Sequence, residues 1–360
     1  MKRFISDTRG NVAMIFGLTL VPVMGFAGAA LDYSRATAVR EELRLFADQT
    51  ALNVAHAGNP SSAPAILAKA EDELRGKLRE NLEDVQMQGR WLDGAHYQVK
   101  ISADLRSSLL AGVPGMPKTI AAQVITVAHR IPPTYRVLPP DMSMLDPEAG
   151  DYNRIYMYCY DPLRAAEPGA DPDEFRTQLT AIADNSSTTV YDTELPECGA
   201  GEHVSYMLRN VRGARTSPNA WDDPSREVYN YFTDTVLDPN TRVLEHDVQG
   251  YRVRHGHTFE KIDMDGVGLI ETVHCRDTEE CKVETQGGVI PYPGKGRTPE
   301  QATASCEDGQ YMYFGWEDRP VYPQGHPRHG QWTDADFDDI RLIVSCPEII
   351  ATDRTVRLVQ

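Results

Sequence analysis

Between Asn11 and Leu31 the chain reads NVAMIFGLTLVPVMGFAGAAL, an apolar run with no ionisable side chain, preceded by Lys2, Arg3 and Arg9 and closed by Asp32. A helix of about 20 apolar residues is what hydrocarbon requires of a spanning segment. The run therefore reads as a transmembrane helix, and whatever follows Asp32 has to be placed relative to a bilayer. Lys and Arg are retained on the cytoplasmic side, so residues 1–10 are expected in the cytoplasm and the bulk of the chain on the far side. A cleaved signal peptide would also carry a basic start and end in small residues such as Ala27 to Ala30. Its apolar core is only about 7 to 15 residues long, however, and the longer run here favours an anchor. Pro22 does not forbid the span, because a kinked helix can re-satisfy the freed carbonyl.

The composition suits an exported protein. Its 53 acidic against 36 basic residues leave a net charge of −17, which repels phosphate backbones and excludes nucleic acid as a natural partner. All six cysteines, Cys159, Cys198, Cys275, Cys281, Cys306 and Cys346, lie beyond the span in an even set that an oxidising compartment would pair. The pairing stays open, although Cys275 and Cys281 are close enough to close a small loop. No C-x-x-C pair occurs, and His274 lacks the paired spacing of a zinc site.

After Asp32 the helical pattern continues to about Ala57, where Gly58 and Asn59-Pro60 stop it. A second helix is signalled by Ser62, Pro64 and apolar residues at Leu67, Ala70, Leu74, Leu78, Leu82 and Val85, and is expected to end near Gly89. Two strands follow, Ala95 to Ala103 and Thr119 to Arg130, expected to pack on the emerging helix and to bury Leu109 and Leu110. Residues 131–150 carry five prolines, from Pro132 to Pro147, and read as an extended linker. From Asp151 onward, short alternating runs such as RIYMYCY, HVSYMLRNV, QYMYFGW and IRLIVSC predict a mostly β, sandwich-like domain. One helix is expected inside it, capped at Asp171 and carrying Phe175, Leu179 and Ile182. The predicted class is thus α+β. Its parts are a cytoplasmic segment 1–10, a span 11–31, a pilin-like segment 32–130, a linker 131–150 and a β-rich domain 151–360.

The N-terminal pattern resembles the TadE/TadG-like pilus-assembly family of the tight-adherence (Tad) secretion system. The matching residues are Arg9-Gly10-Asn11-Val12-Ala13, then Gly28 with Leu31-Asp32, then Leu43, Ala47-Asp48 and Ala51-Leu52. Departures from the family pattern are Arg44, Phe46 and Gln49-Thr50. The resemblance covers residues 1 to about 58. It implies a bacterial inner-membrane protein, crossing once, with its C-terminal bulk in the periplasm. It also implies partners among other Tad membrane proteins or minor pilins, and no small-molecule substrate. Small residues let helices approach closely, so Ala47, Ala51 and Ala55, with Asp48 beside them, form a candidate packing stripe for a partner helix. Gly25-Phe26 copies a prepilin cleavage site only superficially, because the fifth mature residue would be Ala30 rather than Glu. A von Willebrand A metal site is likewise rejected: Asp141-Met-Ser-Met-Leu145 ends in a residue that cannot ligate and follows two prolines where a central strand should lie.

Near the C-terminus, FGWEDRP (Phe314 to Pro320) and WTDADFDDIRLIV (Trp332 to Val344) resemble a paired motif of extracellular β-sandwich modules in adhesin-like proteins. Glu317, Asp318, Asp334, Asp336, Asp338 and Asp339 would bring six carboxylates together, and hard oxygen ligands suit a structural calcium ion. The plainer reading is an acidic turn balanced by Arg319, Arg328 or Arg341. Asp263-Met-Asp-Gly266 starts like a calcium loop but misplaces its glycine and reads as a tight turn. PYPGKGRTP, around Gly294 to Arg297, reads as a surface loop.

Catalytic motifs are missing: there is no G-x-S-x-G, no H-E-x-x-H, and no partner fixed by spacing for His255, His257, His326 or His329. The expectation is a non-enzymatic, membrane-anchored pilus-assembly component. The alternative of another class is a membrane-tethered periplasmic hydrolase or carbohydrate-binding protein that uses the acidic C-terminal site.

Overall fold

A computed structural model describes residues 9–58, 62–78, 82–109, 118–137, 149–186, 189–191, 194–254, 258–292, 294–351 and 356–359. Leu110, the segment 141–145 and the pair His255 and His257 lie outside the described residues. The chain divides into two compact units, residues 1–131 with 354–360, and residues 132–353.

The first unit is organised by one continuous helix, α1 (Arg9–Ala57), of 49 residues. Its most apolar window is only 12% buried in protein, and Ile15, Leu18, Met24 and Phe26 stand outward. The core helix of a soluble protein hides such a surface; here it is left uncovered, and the helix is long and apolar enough to cross a membrane. The C-terminal half behaves differently. Leu43, Ala47, Ala51, Val54 and Ala55 are buried against a sheet of the same unit, formed by β1 (Leu82–Trp91), β2 (His96–Arg106), β3 (Thr119–His129) and a short C-terminal strand, Arg357–Val359. All neighbours in this sheet run antiparallel. Alternate residues of β2 (Tyr97, Val99, Ile101, Ala103 and Leu105) point inward, as a half-buried strand requires.

The second helix, α2 (Ala63–Leu78), is shorter than the sequence suggests. Leu82 and Val85, which fit its helical spacing, lie on β1, and the inward residues there are Val85 and Met87, two apart. Leu109 is about half exposed rather than buried.

In the second unit, β4 (Thr134–Arg136) falls within the proline-rich stretch. It is followed by β5 (Tyr152–Tyr160), two single turns α3 (Pro162–Ala165) and α4 (Pro172–Phe175), and β6 (Arg176–Asp184). Asp171 caps α4 through the Asp173 N–H as its sequence promises, but the helix stops after one turn and Leu179 and Ile182 belong to β6. The remaining strands are β7 (His203–Val211), β8 (Val228–Leu237), β9 (Leu244–Arg254), β10 (Thr258–Ile262), β11 (Gly268–Cys275), β12 (Tyr311–Val321), β13 (Ile340–Ser345) and β14 (Glu348–Ala351). In this numbering the C-terminal strand of the first unit is β15.

A six-stranded sheet, β10-β9-β8-β7-β5-β6, shares one core with a three-stranded sheet, β11-β12-β13. Ile155, Leu208 and Tyr231 of the first meet Phe314, Trp316 and Leu342 of the second, with Tyr206 and Phe314 ring centres 5.5 Å apart. The class is α+β with a β-rich C-terminal region. Three disulfides staple this unit: Cys159 to Cys198, Cys275 to Cys281 and Cys306 to Cys346.

Candidate functional site

Every one of the six acidic residues singled out from the sequence lines one cavity of about 380 Å³. Glu317 and Asp318 stand on β12, and the other four belong to the loop that leads into β13. The loop is tightly wound, with Trp332, Ala335 and Phe337 all at positive φ. Its winding is centred on Glu317, which is 1% exposed and accepts hydrogen bonds from the Asp336 N–H at 2.7 Å, the Phe337 N–H at 3.0 Å and the Thr333 hydroxyl at 2.7 Å. Gly315 makes the close wrap possible, since a Cβ there would strike the Phe337 carbonyl oxygen.

One ligand atom each from Glu317, Asp334 and Asp336 lies within 4.8 Å of the other two. Asp336 is 8% exposed, and among the described residues no group donates a hydrogen bond to its carboxylate. A carboxylate without donors is open to a cation. The neighbouring carboxyls feel the crowding. Burial, with the charges of Asp318 and Glu317 added, pushes the Asp339 carboxyl up to about 10, even though Asp339 accepts the Asp318 N–H at 2.8 Å. Burial and the charge of Asp151 push Asp318 up to about 7, and burial raises Glu317 as well.

Two contributors escaped the sequence reading. Asp151, just before β5, is 2% exposed and takes Arg319 at 2.9 Å and Arg212 at 2.7 Å, with the Gly213 N–H at 2.7 Å. Burial pulls its carboxyl upward, but these donors outweigh burial and hold it below the usual carboxylate range. Arg319 is thereby held by Asp151, 3.9 Å from Asp318. The second contributor is the PGKGR loop. It is not a free surface loop: the Gly296 and Arg297 N–H groups donate to the carbonyls of Asp334 and Ala335, and Arg297 pairs with buried Glu271. The only sequence signal for either was local, a lone Asp beside Gly150 and a glycine-rich basic turn. By contrast, Asp263 to Gly266 is the tight turn expected, with the Asp265 N–H on Asp263 Oδ1 and Gly266 at positive φ.

The N-terminal motif residues hold the first unit together. Asp32 is 2% exposed and accepts from the Ser107 hydroxyl at 2.7 Å and from the Ser108 and Leu109 N–H groups at 3.2 and 3.0 Å. Gly28 lies one turn earlier on the same side, where a Cβ would come within 3.2 Å of Leu109. Asp48 accepts from the Thr126 hydroxyl of β3 at 2.7 Å. The stripe of Ala47, Ala51 and Ala55, offered by sequence to a partner helix, is covered by the chain's own sheet. Alanine serves the same end in both settings, since it lets a helix lie close to whatever packs on it.

No curated protein matches the chain. The segment that forms α1 does have a counterpart: residues 10–57 match the family model described as putative Flp pilus-assembly TadE/G-like.

Proposed function

We propose that the chain is a non-enzymatic, TadG-like component of Tad pilus assembly, anchored once in the bacterial inner membrane with its N-terminus cytoplasmic and its bulk periplasmic. The observation that carries this reading is the coincidence of the family match at 10–57 with one helix whose first half is apolar and uncovered and whose second half is locked to its own sheet. The uncovered half is what other Tad membrane proteins or minor pilins would meet in the bilayer. The disulfide-bonded second unit would work outside the membrane in contact or adhesion, stabilised by calcium. Glu317, Asp334 and Asp336 would hold the ion, with Asp318, Asp338 and Asp339 lining the rest of the cavity. Calcium's preference for several oxygen ligands in a flexible arrangement fits an all-carboxylate set.

The test is a deletion of the gene in its native host, with pili counted by electron microscopy and partners recovered from membranes by in-cell crosslinking. Loss of pili and recovery of secretion-machine membrane proteins are expected; undiminished pili would overturn the assignment. Alkaline phosphatase fused after Gln360 should be active, and an inactive fusion with cytosolic reporters active would reverse the orientation. A hydrolase reading draws on Asp318, a buried carboxyl held near neutrality. That reading requires turnover of a glycoside or ester that Asp318→Asn abolishes.

A further inference from the structure

Beside the acidic cavity, the second unit holds a larger one of about 600 Å³ with the opposite character. Its lining carries five cations, Arg212, Arg252, Lys261, Arg319 and Arg328, against the carboxylates of Glu227 and Glu260, in a chain whose net charge is −17. Some of these cations are spoken for. Arg212 and Arg319 both lie on Asp151, and Arg252 pairs with Glu227 at 3.0 Å. Among the described residues, Arg328 and Lys261 have no carboxylate within ion-pair distance.

The remaining lining is aromatic. Tyr229 and Tyr231 lie parallel with centres 6.0 Å apart, Tyr322 stacks on His326 at 4.3 Å, and Trp332 stands at the rim with 80% of its surface in water. Arg328 reaches over the Tyr322 ring and donates to its hydroxyl at 3.4 Å.

We infer that this cavity binds a carboxylate-bearing saccharide of the uronic or sialic acid kind. A pyranose offers one apolar C–H face, which suits the Trp332 and Tyr322 rings. Its carboxylate suits Arg328 and Lys261, which line the cavity. The volume lies within the range of about 300 to 1,000 Å³ usual for small-ligand sites. An acidic peptide would bring charge without flat apolar faces, leaving the stacked rings unused. The inference gives the outer-domain contact proposed above a ligand class and rests on that reading for its biological setting. Binding to purified protein is measured independently of pilus formation, so either can fail alone.

The full chain in a sugar-free detergent is titrated by calorimetry with trigalacturonate, trimannuronate and 3′-sialyllactose, with neutral cellotriose and hexaglutamate as contrasts. At least one acidic saccharide should bind roughly tenfold tighter than cellotriose or hexaglutamate. Arg328→Ala and Trp332→Ala should each weaken it roughly tenfold, with melting temperature unchanged for Arg328→Ala. Equal binding of cellotriose, tighter binding of hexaglutamate, no binding of the three acidic probes, or an Arg328→Ala protein that binds undiminished would each overturn it.

Discussion

Asp32 and Ser107 stand 75 positions apart in sequence, yet the Ser107 hydroxyl donates to the Asp32 carboxylate at 2.7 Å inside the first unit. The contact sits where the apolar half of α1 gives way to its packed half, so one carboxylate fixes the loop after β2 to the helix at that point. Asp32→Ala strips three donors of their shared acceptor. The expected loss is about 2 to 3 kcal/mol of stability, read as a lower denaturation midpoint of the full chain in micelles, with Asp32→Asn intermediate. An unchanged midpoint for Asp32→Ala would deny the clamp.

Calcium should raise the melting temperature of the full chain and a chelator should reverse the rise. At a hundredfold excess over the dissociation constant the gain is about 2.7 kcal/mol. Glu317→Gln combined with Asp336→Asn should remove the response. A parent protein indifferent to calcium would dispose of the metal site.

Gly315→Ala should act on the acidic loop from the strand beneath it. The added methyl meets the Phe337 carbonyl, and also the Tyr313 hydroxyl at 2.7 Å, so the loop has to lift away from Glu317. The variant should fold with its disulfides intact and respond to calcium only weakly. A full calcium response in differential scanning calorimetry would show that the wrap does not matter.

The disulfides should differ in weight. Cys306 and Cys346 close a span of 40 residues, Cys275 and Cys281 one of 6. On chain-entropy grounds the first contributes about 4 kcal/mol and the second about 2 kcal/mol. Paired Cys→Ala variants compared by denaturant unfolding should reproduce that order; the reverse order would show that the entropy of the unfolded chain is not what sets it.

His246 supplies a pH dependence. Burial lowers its pKa to about 4, and its ring nitrogen Nδ1 meets the Thr235 hydroxyl at 3.0 Å. The unfolded chain binds this proton near 6.5 and the folded chain does not. Stability is therefore complete above about 6.5 and is lost as the pH falls toward 4, by at most about 3 kcal/mol. His246→Gln should flatten melting temperature against pH across that window, and an unaltered slope would assign the effect elsewhere.

Legibility in the sequence followed the range of the interactions. The long apolar helix and strands such as His203–Val211 were legible because periodicity is local. Leu82 and Val85 misled because three-residue spacing fits both a helix face and a bulged strand, and β1 does carry a register shift between Glu83 and Gln86. The acids of β12 and its following loop were visible as two short motifs. Asp151 and the Arg297 loop were not, because only the sheet topology carries them to Glu317 and its loop. The same holds for the pairing of Cys159 with Cys198 and of Cys306 with Cys346, which the count of cysteines leaves undetermined. The alanine stripe was legible as a packing surface, while its occupant was not.

Strand β15 pairs with β3, so residues 132–353 are interposed between two strands of one small sheet. In covalent terms the second unit is a guest in the fold of the first. Such an arrangement lets the guest be exchanged wholesale while the host keeps its own hydrogen-bonded edge, and an engineer grafting a different module between the same two strands would inherit the host unchanged.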